Sequence, residues 1–152
     1  MLVVLAGCGR GGGAAWQTLS RDGFGFQAPA GWVVTETSSE IAASSGRIKR
    51  VQVQRFRLVK AYRPPLFAAA ARELDRVTAE VARELHGHVA AAATIPVAKI
   101  DARSYRIAYG KLVEEITFVL ADREEYELLC RRAASAADDV CSRFVRSFVL
   151  TG

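Results

Sequence analysis

The glycine cluster near the amino terminus contains the residue types that most directly suggest a chemical site. Residues 7–12 read GCGRGG and satisfy the pattern G-x-G-x-x-G immediately after the apolar residues 2–5. In a dinucleotide-binding turn, such glycines let the backbone approach a pyrophosphate at the start of a helix, which here would begin near residue 14. This interpretation gives the alternative function, a small nucleotide-dependent enzyme that uses residues 7–12.

Three features of the sequence argue against that alternative. Residues 11–13 are glycines, which are poor helix formers, and the dipeptide at 22–23 (DG) would end a helix after barely two turns. Residues 29–31 (PAG) interrupt the next apolar segment, and a buried central strand does not tolerate such an interruption. The rest of the chain also lacks regularly alternating strands and helices. We therefore expect no nucleotide cofactor.

Other residues of catalytic or metal-binding type occur in arrangements that do not make a site. His86 and His88 have no C-x-x-C motif and no acidic cluster beside them, whereas a metal site normally needs at least three protein ligands. The acidic pairs at 114–115 and 124–125 would point to opposite faces of their strands, so neither pair forms a carboxylate dyad. No serine or cysteine lies in a G-x-S-x-G nucleophile elbow. We predict a protein that is not an enzyme, with no catalytic residue, no metal and no cofactor.

The first of the three cysteines lies in a segment typical of an exported, lipid-modified protein. Residues 5–8 read LAGC, which resembles a bacterial lipobox, with a branched apolar residue and two small residues before the cysteine. We predict that Cys8 is lipidated, that residues 1–7 are a signal-peptide remnant, and that residues 8–22 are a flexible tether. No basic residue precedes the apolar run, so we expect the true start codon upstream. The predicted location is the extracytoplasmic face of the cell membrane, held by the lipid anchor.

Cys130 and Cys141 are expected to form a disulfide. If Cys8 is acylated in an exported protein, two of the three cysteines remain, and an unpaired exposed thiol would be prone to oxidation or to bonding with another chain. Closing this short loop would stabilise the fold by about 3 kcal/mol on a chain-entropy argument. The alternative is a pair of buried, reduced thiols in a cytosolic protein.

The largest local charge imbalance lies between Glu40 and Glu73, where the sequence has no acid. The pattern of the β-rich segment 48–59 changes phase near Gln54 and Arg55, which predicts a bulge that turns Phe56 to the core. The residues predicted to bind anionic lipid, envelope polymer or an acidic envelope protein are Arg50, Arg55, Arg57 and Lys60. The alternative is that these charged residues only keep an edge strand from pairing with another chain. Few aromatic residues accompany this segment, so we expect no nucleic-acid partner.

The length and composition fit one globular domain. The chain has 152 residues, of which 51% are hydrophobic and 24% charged, which excludes a disordered or coiled-coil protein. Residues 64–65, both proline, would open a long helix that stops at Gly87. Its apolar stripe recurs at spacings of three and four and comprises Phe67, Ala70, Leu74, Val77, Val81 and Leu85. Strands are predicted on both sides of this helix, and a last helix near the carboxyl terminus. We predict an α+β domain over residues 23–152, an α/β/α sandwich with a central antiparallel sheet.

The order of several short motifs resembles the PsbP-like fold family. The motifs are F-x-F-x-x-P-x-G-W at 24–32, A-x-x-Y at 102–105, Y-x-L-x-C at 126–130 and C-x-x-F-x-x-S-F at 141–148, with the long helix between the first two. The resemblance implies an antiparallel sheet between helices and no catalytic residues, because the family consists mostly of binding and assembly subunits. Together with Cys8 it predicts a membrane-tethered, non-catalytic envelope lipoprotein that binds a protein or an anionic ligand.

Overall fold

The order of secondary-structure elements confirms the α+β class. A computed structural model describes residues 15–152, which form ten strands and two α-helices. The strands are β1 (Trp16–Arg21), β2 (Phe24–Pro29), β3 (Val33–Glu36), β4 (Glu40–Ser45), β5 (Lys49–Arg57), β6 (His88–Val97), β7 (Ile100–Tyr109), β8 (Leu112–Ala121), β9 (Glu124–Ala133) and β10 (Val149–Leu150). The helices are α1 (Phe67–Glu84), which follows a 3-10 turn at Pro64–Leu66, and α2 (Asp139–Ser147). Neither helix has the length and apolar character needed to cross a membrane.

The strands form two antiparallel sheets rather than a single central one. The large sheet has seven strands in the order β3-β4-β5-β9-β8-β7-β6, and the small sheet has three in the order β1-β2-β10. Helix α1 packs on one face of the large sheet, whereas α2 and the small sheet pack on the other face. The predicted sandwich is therefore confirmed, and the small sheet adds to the layer that contains α2.

Helix α1 packs through the predicted apolar stripe except at Val77, where the adjacent Thr78 is buried instead. Thr78 and Ala82 are each 2% exposed and form the centre of the buried face, which packs against Tyr105 and Ile107 of β7. Val77, which the spacing places in the stripe, is 36% exposed. The difference arises because the stripe contains a small polar residue, Thr78, which a hydrophobic pattern does not register.

The main core lies between the large sheet and the layer formed by the small sheet and α2. Phe24 and Phe26 of β2, Phe144 of α2 and the following Phe148 are almost completely buried. The rings of Phe24 and Tyr126 make contact between the two layers, with centroids 5.5 Å apart. The rings of Phe26 and Phe144 join the small sheet to α2 within one layer, with centroids 5.3 Å apart.

The domain begins earlier than the sequence predicted. Trp16–Arg21 is strand β1, which pairs with β2 along its whole length. The tether predicted for residues 8–22 therefore ends too late, because its last residues belong to the small sheet. The pairing has a physical reason, since β1 covers an edge of β2 that would otherwise expose unpaired backbone groups.

The predicted bulge near Gln54 and Arg55 is wrong. Strand β5 pairs with β9 without a register shift from Arg50 to Arg57. The apparent change of phase arises because Phe56 is 40% exposed and does not point into the main core. Arg55 instead shares the sheet face of Val53, by strand alternation. The register shift in the large sheet lies in β6, between Val89 and Ala91.

Candidate functional site

The predicted lipid attachment site lies outside the described residues. Cys8, the motif at residues 7–12 and the signal-peptide remnant at residues 1–7 all precede residue 15. The nucleotide-binding alternative requires a helix immediately after the motif, whereas Trp16–Arg21 is a strand. That alternative therefore lacks the helix whose amino terminus would bind a pyrophosphate.

Cys130 and Cys141 form the disulfide that the sequence predicted. Cys130 lies in β9 and Cys141 in α2, with Cα atoms 5.5 Å apart. Each residue is 1% exposed, so both sulfurs are shielded from attack by external thiolates. The bond joins the last strand of the large sheet to α2 and contradicts the alternative of two reduced thiols.

The predicted basic residues do not share one surface. Arg50 and Arg55 project from opposite faces of β5, with Cα atoms about 17 Å apart. Arg50 forms an ion pair with Glu40 (Nη2 to Oε1, 2.9 Å), and the Arg55 Nη1 group donates to the carbonyl oxygen of Asp22 (2.8 Å). These two arginines therefore make contacts within the fold, and the single patch predicted from the sequence is divided.

Arg57 and Lys60 remain exposed at one end of the large sheet. Arg57 ends β5, and Lys60 lies in the loop that follows it. Backbone hydrogen bonds hold this loop against the β8–β9 turn, from the Leu58 N–H to the Arg123 carbonyl (2.8 Å) and from the Tyr62 N–H to the Asp122 carbonyl (2.6 Å). Over residues 15–152, neither Arg57 nor Lys60 makes an ion pair, so both cationic groups are open to solvent.

The two histidines, predicted not to be metal ligands, lie at the junction between α1 and β6. His86 follows α1 and His88 begins β6, and both are exposed. Among residues 15–152, no group of three or more His, Cys, Asp or Glu side chains is arranged to hold a metal ion.

A groove lies between α1 and the part of the large sheet beside it. Its volume is about 400 Å³, which is in the usual range for small-ligand sites. Leu74, Val77 and Thr78 of α1 line one side, and Phe118 of β8 and Leu129 of β9 line the sheet side. The groove is therefore largely apolar, and its charged groups are all carboxylates.

Glu127 brings a carboxylate into this groove without a cation opposite it. Its cross-strand neighbours are Gln54 of β5 and Phe118 of β8. Burial raises the pKa of Glu127, and repulsion from the carboxylates of Glu125 and Glu114 raises this pKa further. Glu127 makes no ion pair within the described part of the chain, so its charge stays uncompensated.

Glu125, Glu114 and Glu73 complete the acidic lining in different ways. Glu73 of α1 is paired with Arg76 (Oε1 to Nη2, 2.5 Å). Glu125 lies on the same face of β9 as Glu127, and burial raises its pKa. Glu114 of β8 is 8% exposed, accepts a hydrogen bond from the Tyr109 hydroxyl (2.7 Å), and lies 3.6 Å from Arg131 Nη1. Burial and the bond to Glu114 raise the pKa of Tyr109 to about 12. Glu114 is thus paired, whereas Glu125 and Glu127 are the free carboxylates.

The hydroxyl of Thr78 is a further unpaired group in the groove. Thr78 is 2% exposed, and its Oγ1 has no hydrogen-bond partner among the described residues. A buried hydroxyl without a partner is unfavourable by about 1–3 kcal/mol. The groove therefore contains one neutral polar atom and two carboxylates that lack protein partners.

A polar cluster fixes α1 to the sheet near this groove. Asp75 of α1 accepts hydrogen bonds from the Arg103 Nε group (2.9 Å) and the Tyr105 hydroxyl (2.5 Å), both from β7. The bonds from Arg103 and Tyr105 lower the pKa of Asp75, whereas burial and the bond to Asp75 raise the pKa of Tyr105. The cluster therefore ties α1 to β7, next to Leu74 of the groove lining.

A smaller depression lies beside the disulfide. Its volume is about 260 Å³, and Trp32, Ile48 and Val140 line it together with Cys130 and Cys141. Its lining is mainly apolar, and its charged residues are of both signs, namely Lys49, Arg131, Arg132 and Asp139.

The groove could not be predicted from the sequence, because it depends on which sheet face α1 covers. The strand predicted over residues 125–130 places Glu125 and Glu127 on one face by simple alternation. Nothing local shows that α1 packs beside this same face. The combination of two acids on a strand face and a helix that lies over it becomes visible only in the assembled fold.

Comparison with known proteins identifies the fold. No protein-family model and no curated protein matches the sequence. The structure is similar to the solution structure of cyanobacterial PsbP (CyanoP) from Synechocystis sp. PCC 6803, with a TM-score of 0.69, 16% identity, and coverage of 97% of this chain and 99% of that one. It is also similar to a crystal structure from Bacteroides thetaiotaomicron VPI-5482, with a TM-score of 0.60, 9% identity and coverage of 85% of this chain. This chain spans 45% of the Bacteroides protein. The fold is PsbP-like, as the resemblance in sequence predicted.

Proposed function

We propose that this chain is a non-catalytic binding module, held at the extracytoplasmic face of the cell membrane by a lipid on Cys8. The observation that carries the proposal is the buried bond between Cys130 and Cys141, because stable disulfides are typical of proteins outside the cytoplasm. This bond uses two of the three cysteines and leaves Cys8, in the segment LAGC, for the lipid. The PsbP-like fold is consistent with a role in binding or assembly.

The partner in this proposal is an envelope protein or an anionic envelope polymer. Arg57 and Lys60 support it, because their exposed cationic groups lie near each other in sequence at one end of the sheet. Exposed charges of this kind give weak attraction that salt screens over about 8–10 Å. The nucleotide-dependent alternative has no comparable support, since a strand follows the glycine motif.

Detergent phase partitioning of the full-length gene product, with its natural start codon, tests the anchor. Wild-type protein should enter the detergent phase and incorporate a labelled fatty acid, whereas Cys8→Ser should do neither. Gly12→Ser provides a matched control, because it changes the same segment without removing the thiol. If Cys8→Ser partitions and incorporates label as the wild type does, the proposal of a lipid anchor fails.

A further inference from the structure

We infer that the groove between α1 and the large sheet binds a small organic cation with an apolar body, of the class of protonated alkyl or aryl amines. This site lies on the sheet face of Phe56 and Glu125, opposite to the face of Arg57 by strand alternation. It serves a ligand of opposite charge to the partner proposed above. The inference also stands independently of the lipid on Cys8, because every residue that carries it belongs to the described domain.

The charge of the groove is specific to it rather than general to the molecule. The chain has a net charge of +5, yet Glu125 and Glu127 place two unpaired carboxylates on one face of β9. Their Cα atoms are about 7 Å apart, two positions along a strand. Phe56 and Gln54 lie directly across from them in β5, so the sheet supplies no cation at either position. A positively charged ligand would offset the repulsion between these two carboxylates.

The apolar lining favours an organic cation over a bare metal ion. Phe118 and Leu129 form the sheet side of the groove, and Phe56 and Val77, which are 40% and 36% exposed, lie at its margin. Hard metal ions are bound by oxygen atoms, and these four side chains offer none. An amine with an apolar body would bury those side chains, and the faces of the two phenylalanines attract cations.

Thr78 supplies an independent observation that points to a ligand. Thr78 is one of the residues that line the groove, and its hydroxyl is buried and has no partner within residues 15–152. A hydroxyl oxygen accepts hydrogen bonds from ammonium donors. An amine bound between Thr78 on α1 and the carboxylates on β9 would satisfy groups on both walls at once.

An NMR titration of the full 152-residue chain tests this inference. The probe is n-hexylammonium, and 1-hexanol is the neutral control of equal length. We expect saturable shifts of the backbone amide signals of Thr78, Glu125 and Glu127 with the amine. Because hydrogen bonds to charged groups contribute substantially to affinity, 1-hexanol should bind at least roughly tenfold more weakly.

Matched substitutions distinguish the effect of the groove carboxylates from that of the overall charge of the protein. The double variant Glu125→Gln with Glu127→Gln should weaken hexylammonium binding at least roughly tenfold. Glu124→Gln is the control, because it neutralises a glutamate in the same strand whose side chain lies on the opposite face. Its affinity should remain within about twofold of that of the wild type. Thr78→Val, which keeps the shape and removes the hydroxyl, should weaken binding even if the double variant is poorly folded.

Three results would overturn the inference. The first is the absence of saturable shifts at the groove with hexylammonium. The second is equal affinity for 1-hexanol, which would show an apolar groove with no preference for a cation. The third is undiminished binding of the amine by folded variants at Glu125, Glu127 and Thr78. Detergent partitioning governed by Cys8 would be unaffected by any of these outcomes, so the proposed anchor is tested separately.

Discussion

Glu127 carries its carboxylate at an unfavourable position in the folded chain. Burial raises its pKa first, and the nearby carboxylates of Glu125 and Glu114 raise it further. The folded state therefore holds a proton more tightly than the unfolded chain does. The stability that this group contributes is fully present below the unfolded pKa and is lost as the pH rises through the raised folded pKa.

We predict that Glu127→Gln raises the Tm at pH 7, because glutamine cannot acquire the unfavourable charge. The gain should shrink as the pH falls and disappear below about 4.3, where the unfolded glutamate also becomes protonated. Thermal unfolding followed by circular dichroism at several pH values measures both effects. Glu124→Gln, on the other face of β9, should give no comparable gain. A lower Tm for Glu127→Gln at pH 7 would contradict the assigned environment.

Single residues differ in how far the sequence predicts their partners. The bond between Cys130 and Cys141 could be predicted, because a lipid on Cys8 leaves only these two cysteines to form a disulfide. The partner of Arg50 could not be found, because the local sequence around it has no acid. The β4–β5 hairpin brings Glu40 to within 2.9 Å of Arg50, so the apparent imbalance of charge is partly cancelled in three dimensions.

The end of α1 shows how a secondary-structure element depends on residues outside it. The His86 N–H donates to the Arg83 carbonyl (3.0 Å), and the Gly87 N–H donates to the Ala82 carbonyl (2.8 Å). His86, with φ of +57°, occupies the left-handed position that glycine usually takes at a helix end. Gly87 is required for another reason, because a Cβ there would overlap the carbonyl oxygen of Ala108 in β7.

We predict opposite effects for substitutions at these two neighbouring positions. Gly87→Ala should lower the free energy of unfolding by about 1–3 kcal/mol, since backbone in β7 would have to move. His86→Gly should leave the free energy unchanged or raise it by up to about 1 kcal/mol, because glycine adopts the left-handed conformation without strain. Denaturant unfolding of both variants measures the difference. Equal destabilisation by the two substitutions would refute the separate roles.

Elements with strong periodicity were predicted from the sequence, whereas β1 and β6 were not. Helix α1 has a clear apolar stripe and a proline start, so its position was predicted well. Strand β6 was missed, because its run of alanines at 90–93 favours a helix by intrinsic propensity. Pairing with β7 overrides that preference. Pro96 is tolerated there because β6 is the edge strand of the large sheet.

The molecule as a whole joins its layers through the buried aromatic rings and one covalent bond. The disulfide is the single covalent cross-link between α2 and the large sheet among the described residues. Replacing both Cys130 and Cys141 by alanine should lower the free energy of unfolding by about 3 kcal/mol. Urea unfolding of the oxidised wild type and the double variant measures the loss. A loss below about 0.5 kcal/mol would show that aromatic packing alone positions α2.

The layered architecture was predictable, whereas the surface that could bind a ligand was not. Periodicity predicts the individual helices and strands, and the PsbP-like arrangement is what the resemblance of the ordered motifs to that family implies. The division of the basic residues and the acidic groove depend on which sheet face lies beside α1. That choice is made by tertiary packing of Tyr105, Ile107 and Phe118, and it leaves no local pattern.

Mass spectrometry of the protein isolated from membranes of its native host, both intact and after digestion, tests the central claim most directly. Mature protein should begin at Cys8, carry the mass of a lipid on that residue, and contain linked peptides from Cys130 and Cys141 when analysed without reductant. An unprocessed chain with an unmodified Cys8, or free thiols at Cys130 and Cys141, would contradict a lipid-anchored module outside the cytoplasm.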